Sequence, residues 1–417
     1  MKKTRIKKIK AREILDSRGN PTIEVFLETN LGVSKASVPS GASTGRYEAV
    51  ELRDKEKRYL GKGVQRAVRN INEIIAPRLI NKNPVFQKEI DELMIELDGT
   101  ENKSNLGANA ICGVSLAVCR AGALAEKLEL FEYIKEKFEK KTAKKKYKIP
   151  SPLFNIINGG VHAGSKLDVQ EFMINPEKKS FSESLRVGSE IYHRLKEIIS
   201  QKFGKQATNL GDEGGFAPPL IFPGQAIELI LAAAKTLNYK KKIKIVLDVA
   251  ASQFFEGGKY RMRLGIFTKQ GLLRYYLNLI SKYPILGLED PFSEDDWEGF
   301  REIMRQTGEK TLIIGDDLLV TNPYRIEEAR KKKAVNGMIL KINQIGTVSE
   351  ALSAAKLAKD SGWKIIVSHR SGETTDDFIA DFAVGIEADF IKTGAPARGE
   401  RVVKYNRLLE IEEKLSS

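Results

Sequence analysis

Apolar residues recur with two different periods along the chain. Near the N-terminus they alternate with the two-residue period of strands in TIEVFLETN, and a turn at Leu31-Gly32 leads into a second such run, SKASVP. The next segments carry the period of amphipathic helices: VQRAVRNINEIIAPRLI, PVFQKEIDELMIEL and GANAICGVSLAVCRAGALAEKL. Strands followed by helices predict a small N-terminal α+β unit, a capping domain over residues 1–138.

After Pro150 the hydrophobic pattern changes: short apolar runs alternate with helical stretches. Several runs stop at polar or charged residues: KIKIVLDVA, PILGLEDP, TLIIGDDL, GMILKINQ, KIIVSHRS and DFIKTGAP. Strands that recur every ~25 to 30 residues with helices between them predict an α/β fold, a parallel (β/α)8-type barrel. We place this catalytic barrel at residues 149–417, after the charged connection EKFEKKTAKKKYKIPSP. An open doubly wound sheet is the alternative, but the chain lacks the G-x-G-x-x-G turn that such a sheet usually carries.

Titratable side chains end these six runs: Asp248, Glu289, Asp316, Lys341, His369 and Lys392. In a parallel barrel all strands point the same way, so the residues at their C-terminal ends converge on one mouth. A single acidic residue at such a position often caps the following helix, and a single lysine can reach out to water. Six successive strand ends of this kind are harder to explain in that way, and they favour a shared site.

The three carboxylates among these strand ends would repel one another and would require a cation. Oxygen ligands without a histidine or cysteine cluster favour Mg²⁺ over Ca²⁺ or Zn²⁺. A lysine beside that ion would have its pKa lowered by the positive charge and by partial burial, toward the range of a base active near neutral pH. A metal facing such a lysine indicates proton abstraction next to a carboxylate, which is similar to the pattern of the enolase superfamily.

Three polar loops supply further candidates. GDEGGFAPP holds Glu213, LDVQEFMI holds Gln170 and Glu171, and NGGVHAG holds His162. Two neighbouring carboxylates cannot both ionise at low cost, so one could keep a proton near neutral pH and donate it to a leaving hydroxyl. The alternative for each is a loop carboxylate in water. His193 lies in a helical pattern, and we expect it to be structural.

Long motifs follow one another from about Lys8 to Leu415: DSRGNPTIEV, VPSGASTG, LDGTENKSNLGANAI, NGGVHAG, VQEFM, GDEGG, LEDPF, GDDLLVTNP, LKINQIGT, SHRSGET and IKTGAPAR. Together they closely resemble the enolase family, the phosphopyruvate hydratases. The resemblance implies a lyase of glycolysis and gluconeogenesis that reversibly dehydrates 2-phosphoglycerate to phosphoenolpyruvate. It also implies a lysine base, a metal-stabilised enolate and two Mg²⁺ ions per active site, the second bound with the substrate.

The resemblance assigns the metal and proton-transfer roles to particular residues. The first Mg²⁺ would be held by Asp248, Glu289 and Asp316. The second would be held by Ser43, in the GAST loop that closes over the substrate in this family. The implied catalytic residues are Lys341 as the base, Glu213 with support from Glu171 on the acid side, and His369.

The same resemblance assigns the substrate-binding residues: His162, Gln170, Glu171, Arg370, Ser371 and Lys392. Lys392 would pair with the substrate carboxylate. The SHRSG strand end would face the phosphate, with planar donors from Arg370 and a hydroxyl from Ser371. His162 would lie on a second closing loop, which a bare surface loop would equally explain.

Composition bears on the competing functions. The formal net charge of +14 over 417 residues is attributed to solvated lysines, because the basic clusters are scattered and lack interleaved aromatic residues. Attraction of anionic substrates is one alternative, and association with RNA or a degradosome is another, without support in the sequence. A racemase or cycloisomerase of the same superfamily would share the metal carboxylates, but LDVQEFMI lacks the K-x-K pair typical of those enzymes.

Location and assembly complete the expectations. No apolar stretch approaches the ~20 residues that span a bilayer, and no apolar segment follows the basic start MKKTRIKKIK, so we expect a cytoplasmic protein without a membrane span. Cys112 and Cys119 lie about 10 Å apart along a predicted helix, too far for a disulfide, and should be reduced core thiols. The family resemblance implies a homodimer or an octamer built from dimers.

Overall fold

The N-terminal unit begins with an antiparallel meander. A computed structural model describes residues 4–41, 45–139, 147–160, 163 and 166–416. The first three strands are β1 (Ile6–Leu15), β2 (Pro21–Thr29) and β3 (Val33–Ser37), paired in that order. The predicted turn between β2 and β3 is confirmed: Thr29 N–H donates to Gly32 O at 2.9 Å, and Gly32 has a φ of 146°, which favours glycine.

The described helices of this unit are α1 (Gln65–Arg69), α2 (Ala76–Leu79), α3 (Gln87–Asp98), α4 (Ala108–Glu126) and α5 (Leu130–Phe138). A π-helical segment, Asn70–Ile75, connects α1 to α2. These elements confirm the helical patterns in the sequence.

Helix α4 corrects the statement that no apolar stretch approaches bilayer-spanning length. Its 19 residues are long and apolar enough to cross a membrane by composition alone, but 83% of its most apolar window is buried inside the fold. It packs against β2 and β3, and it carries Cys112 and Cys119, which are free and buried as predicted. The hydrophobicity of α4 is therefore that of a core helix.

The C-terminal unit alternates strands and helices. Its described strands are β4 (Ser151–Asn158), β5 (Glu171–Pro176), β6 (Ile243–Asp248), β7 (Phe255–Glu256), β8 (Lys259–Met262), β9 (Gly265–Phe267), β10 (Ile285–Glu289), β11 (Leu312–Gly315), β12 (Gly337–Leu340), β13 (Lys364–Ser368) and β14 (Phe390–Lys392). Its described helices are α6 (Phe181–Phe203), α7 (Pro223–Thr236), α8 (Lys269–Lys282), α9 (Trp297–Thr307), α10 (Pro323–Lys332), α11 (Ile342–Ile345), α12 (Val348–Asp360), α13 (Phe378–Gly385) and α14 (Gly399–Ser416).

Eight of these strands close into a barrel, which confirms the predicted fold class. They follow the order β4-β5-β6-β10-β11-β12-β13-β14, and β14 pairs back with β4. The expectation that all strands point the same way is wrong for β5, which runs antiparallel to both β4 and β6. Its first residue, Glu171, therefore lies at the mouth, in register with Asp248. A two-residue period looks the same in both directions, so the sequence could not reveal this reversal.

The barrel interior is filled by side chains. An apolar layer contains one residue from each of six strands: Leu153, Met173, Val246, Ile314, Ile339 and Ile366. Side chains on a strand return to the same face every second residue, so the residues two positions after Val246, Ile314 and Ile339 also point inward. Those residues are Asp248, Asp316 and Lys341. The fold thus places charged groups directly above a packed apolar floor.

Candidate active site

The barrel strand ends bring most of the predicted residues into one cavity. Asp248 and Lys392 are the last residues of β6 and β14, whereas Asp316 and Lys341 directly follow β11 and β12. The cavity is lined by Gln170, Glu171, Glu213, Asp248, Asp316, Lys341, Ser368, His369, Arg370, Ser371 and Lys392. Glu289, the last residue of β10, is buried and contacts Lys392. The convergence expected from the strand-end pattern is therefore present.

Lys392 forms the centre of the most concentrated charge cluster. Its Nζ lies 3.0 Å from Asp248 Oδ2, 3.0 Å from Glu171 Oε2 and 2.9 Å from both carboxyl oxygens of Glu289. Burial alone would lower the pKa of Lys392, but the surrounding carboxylates outweigh burial and raise the pKa well above its ordinary value. Lys392 is therefore a permanent cation in the mouth.

Lys341 lines the same cavity from the end of β12, two strands along the barrel from Lys392. Its Nζ forms an ion pair with Asp316 Oδ2, whose second oxygen accepts a hydrogen bond from Gln344 Nε2 at 3.0 Å. The backbone N–H of Lys341 donates to Thr321 Oγ1 at 2.9 Å. Burial lowers the pKa of Lys341, but the negative charge of Asp316 more than offsets it, and the pKa is raised. The protein groups alone therefore raise the pKa of Lys341, and the lowering predicted for a lysine beside a bound ion stays a prediction.

Glu171 and Glu213 form a carboxyl pair on the β4–β5 side. Asn155 Nδ2 donates to Glu213 Oε2 at 2.9 Å, and Ser371 Oγ donates to Glu213 Oε1 at 3.3 Å. Both carboxyl groups are buried, so the alternative of loop carboxylates in water is excluded. Burial, reinforced by the negative charge of Glu213, raises the pKa of Glu171 well above its ordinary value. The pair can hold a proton at neutral pH.

Arg370 faces the N-terminal unit through a partner that sequence reasoning missed. Its guanidinium makes a two-pronged ion pair with Glu48, at 3.0 and 3.1 Å, and donates to Asn343 Oδ1 at 3.1 Å. The one signal for Glu48 in the sequence is its closeness to the GAST loop. The capping unit thus contributes directly to the wall of the site.

His369 is buried between an arginine and a glutamate. Its Nδ1 lies 2.6 Å from Arg401 Nη1, and its Nε2 lies 3.4 Å from Glu213 Oε2. Burial lowers the pKa of His369 to about 3, so the ring is neutral. Sequence reasoning also missed Arg401 on α14, because the residues around Arg401 have the pattern of an ordinary amphipathic helix.

Carboxyl oxygens cluster most tightly beside the predicted metal ligands. Among the residues described, Asp290, Asp316 and Asp317 have candidate ligand atoms within 4.8 Å of one another, and they share only Asp316 with the predicted trio. Asp290 accepts the backbone N–H groups of Asp316 at 3.0 Å and Asp317 at 2.7 Å. Asp290 therefore shapes the turn after β11. Burial and the charge of Asp316 raise the pKa of Asp317 to about 8.

Gln170 lies beside the metal-ligand candidates. Its Nε2 donates to Asp248 Oδ2 at 3.2 Å, while its buried Oε1 has no hydrogen-bond partner within the described part of the chain. Two other predicted residues, Ser43 and His162, lie outside the described residues. Their roles stay predictions.

Comparison with known proteins identifies the family. Residues 6–134 match the profile described as "Enolase, N-terminal domain", and residues 146–417 match "Enolase, C-terminal TIM barrel domain". A protein named "Enolase" from Mastigamoeba balamuthi is 52% identical over 426 residues, covering 99% of this chain and 96% of that protein. One of the same name from Thermococcus gammatolerans is 54% identical over 410 residues, covering 97% and 94%. The chain belongs to the enolase family.

The enolase family implies Mg²⁺, and the side chains in the barrel mouth fit such an ion. The buried carboxylates here outnumber the lysines: Glu171, Glu213, Asp248, Glu289 and Asp316 surround Lys341 and Lys392. Burial and the charge of Asp248 raise the pKa of Glu289 well above its ordinary value, which is a sign that the negative charge is incompletely balanced. An oxygen-only donor set with excess negative charge suits a hard divalent cation.

Proposed function

We propose that Lys341 and the pair Glu213 and Glu171 carry out the two proton transfers of the enolase reaction in this barrel mouth. The reaction is that of the family: the chain is a lyase, a phosphopyruvate hydratase of glycolysis, which dehydrates 2-phosphoglycerate to phosphoenolpyruvate. One observation supports the division of roles. Lys341 follows β12, whereas Glu213 stands beside β4 across the barrel, and both line the same buried cavity.

Lys341 is the base in this proposal. Its neutral amine takes the proton from C2 of the substrate, and the C2–H electron pair becomes available for the new C2=C3 bond. Burial and the positive charges of Arg370 and Lys392 favour the neutral amine, whereas Asp316 favours the ammonium form. Asp316 prevails in the protein alone and raises the pKa of Lys341, so the neutral amine would form where the proposed Mg²⁺ engages the carboxylate of Asp316.

Glu213, with Glu171, acts on the departing group. A proton from this pair passes to the C3 hydroxyl, the C3–O bond breaks and the hydroxyl leaves as water. The raised pKa of Glu171 supports this role, because the pair then retains a proton that can be donated at neutral pH. The amide of Asn155 and the hydroxyl of Ser371 hold the Glu213 carboxyl in place.

The remaining cavity residues bind the substrate. Lys392 pairs with its carboxylate, Arg370 and Ser371 with its phosphate, and Gln170 lies alongside. Because Arg370 is already paired with Glu48, its planar fork is oriented before substrate arrives. His162 is assigned to the same group from the family resemblance alone.

We propose Asp248, Glu289 and Asp316 as the ligands of the first Mg²⁺ and Ser43 as a ligand of a second Mg²⁺ that enters with the substrate. When bound, Mg²⁺ would stabilise the negative charge that develops on the substrate carboxylate. Gln170 and Gln344 hold the carboxylates of Asp248 and Asp316 for that purpose. Assembly as a homodimer or an octamer of dimers, and a cytoplasmic location, belong to the same proposal.

The test is spectrophotometric. Purified protein mixed with 2-phosphoglycerate and Mg²⁺ should develop the ultraviolet absorbance of phosphoenolpyruvate, and EDTA should abolish the signal. Restoring Mg²⁺ in excess over EDTA should restore it. Tight, salt-sensitive RNA binding without any such turnover would contradict the proposal and favour the scaffold alternative.

A further inference from the structure

Arg401 is a buried arginine whose guanidinium contacts two segments: the one that follows β13 and the loop that carries the proposed acid, Glu213. It has no exposed surface. Nη1 donates to Arg370 O at 2.6 Å, and Nη2 donates to Ser371 O at 2.6 Å and Asp212 O at 3.1 Å. Nη1 also lies 2.6 Å from Nδ1 of His369, and Nε lies 3.5 Å from Oε1 of Glu400 on the same helix. One side chain on α14 thus connects the strand end after β13 to the loop that carries Glu213.

The contact with Arg401 fixes the position of the proton on His369. A guanidinium has only donors, so the Nδ1 atom that faces it must accept, and the ring proton must lie on Nε2. Nε2 is the atom that points toward Glu213 Oε2, at 3.4 Å. The neutral ring therefore presents an N–H to the proposed acid and not a lone pair.

A neutral histidine matters for the chemistry of Glu213. A cationic imidazolium beside that carboxyl would favour its ionised form and remove the proton that it must donate. The charged and titratable groups that act on His369 are Glu213, Arg401 on α14 and Lys392 on β14. Burial is the main reason that the pKa of the ring falls to about 3; Glu213 favours protonation, and the two cations oppose it.

We propose that Arg401 is a positioning residue for the dehydration step, because it holds His369 as a neutral ring with the proton on Nε2, so that neither a cation nor a lone pair able to take the Glu213 proton faces that carboxyl group. The inference rests on the proposed roles of Glu213 and Lys341. It predicts that loss of Arg401 impairs departure of the C3 hydroxyl while sparing proton abstraction from C2. Those two steps can be measured separately.

The primary experiment compares Arg401→Gln with wild-type protein in two assays. Turnover is followed by phosphoenolpyruvate absorbance, and C2 proton abstraction by exchange of the C2 hydrogen of 2-phosphoglycerate for deuterium in D₂O. We expect turnover to fall roughly 10- to 100-fold, the range seen when an outer partner of a functional side chain is removed, with exchange reduced less than about threefold. An equal loss in both assays, or no loss, would overturn the proposal. Wild-type protein inactive in both would instead refute the proposed function.

Arg398→Gln is the matched control. Arg398 lies next to α14 and contacts Gly211 O on the loop of Glu213, but it has no contact with His369 in the described structure. It should retain nearly full turnover. A double variant adds a second criterion: in a His369→Ala background, Arg401→Gln should cost little further turnover. A full, additive loss would mean that Arg401 acts on the fold alone.

A spectroscopic measurement covers the case in which Arg401→Gln does not fold. The chain has three histidines, so ¹⁵N labelling of histidine in wild-type protein, with His369→Ala as reference, identifies the His369 ring signals. We expect one neutral tautomer, with the proton on Nε2, and no titration between about pH 5 and 9. A ring that titrates in this range, or carries its proton on Nδ1, would refute the proposal.

Discussion

The barrel mouth and the seam between the two structural units both bury charged side chains, but they balance them differently. At the seam, Arg120 Nη2 lies 2.8 Å from Asp376 and 2.8 Å from Asp377, and Lys103 lies 2.9 Å from Glu350. In the mouth, five buried carboxylates surround two lysines. The seam pairs hold two units together, whereas the mouth retains excess negative charge.

The pKa shifts of one carboxyl group at the seam and two in the mouth illustrate this difference. Hydrogen bonds from Lys414 and Arg407 lower the pKa of Glu129 at the seam, because its ionised form has partners. In the mouth, burial and neighbouring carboxylates raise the pKa values of Glu171 and Glu289. Charge that is satisfied within the protein stabilises the fold, and charge left unsatisfied is available for a cation and for proton transfer. Substitutions in the two regions should therefore separate activity from stability.

The largest effect is expected at Lys341. Lys341→Ala should lower kcat by roughly 10³- to 10⁴-fold, in the upper range for loss of a general base, while the protein stays folded. Lys341→Arg is the matched control, because it keeps a positive charge beside Asp316 but cannot lose its proton. Both variants should be inactive in the absorbance assay and retain cooperative thermal unfolding. Near-normal turnover of either variant would refute the role of Lys341 as the base.

Glu171→Gln should have opposite effects on turnover and on stability. Turnover should fall by roughly 100-fold, because the carboxyl pair loses its shared proton. Stability at neutral pH should increase, because burial and the charge of Glu213 disfavour the carboxylate of Glu171 more than Lys392 favours it, and Lys392 keeps its contacts with Asp248 and Glu289. Turnover and thermal unfolding measure the two effects, with the exposed Glu177, at the other end of β5, as the control in Glu177→Gln. If Glu171→Gln lost stability as well as activity, the carboxylate of Glu171 would be stabilising in the folded protein, which would contradict our interpretation.

The strand-end pattern found six titratable positions at the mouth because the ends of neighbouring barrel strands converge on one place. Glu48 and Arg401 were beyond this kind of reasoning. Each reaches the site from an element far away in sequence, and long-range packing leaves no periodic trace. The antiparallel direction of β5 was missed for a different reason: the pattern of apolar residues does not reveal in which direction a strand runs. Sequence reasoning therefore identified side chains that act on a ligand better than the side chains that hold them.

Arg120→Gln tests the seam. It leaves Asp376 and Asp377 without their shared cation, and we expect a loss of about 3 kcal/mol in the free energy of unfolding, as for other broken, largely buried ion pairs. Turnover should change less than about twofold, because Arg120 is outside the cavity. Urea unfolding measures the first quantity and the absorbance assay the second. Arg301→Gln, at an exposed position on α9, should alter neither. A variant of Arg120 with normal stability would show that the seam pairs contribute nothing to the fold.

The smallest expected effect concerns Asp91, on the N-terminal side of the seam. Its Oδ2 accepts hydrogen bonds from the backbone N–H of Ser349 at 3.0 Å and from its hydroxyl at 2.6 Å, and burial nevertheless raises the pKa of Asp91 to about 6. A raised carboxyl pKa means that the folded protein binds this proton more tightly than the unfolded chain does. The contribution to stability is therefore complete below about pH 4 and is lost as the pH rises to about 6.

Asp91→Asn should remove this pH dependence while keeping the hydrogen bonds from Ser349. The new carbonyl can still accept from Ser349, whereas the new amide group no longer accepts the hydrogen bond that Gln87 Nε2 donates to Asp91 Oδ1 at 3.0 Å. Between about pH 4 and 7, the stability lost on raising the pH should be smaller by about 2 kcal/mol in the variant than in wild-type protein. Urea unfolding at each pH measures the difference, with Glu92→Gln on the exposed face of α3 as the control. Parallel pH curves for Asp91→Asn and wild type would mean that this buried carboxyl is ionised at little cost. The seam would then accommodate a buried carboxylate that is not paired with a cation.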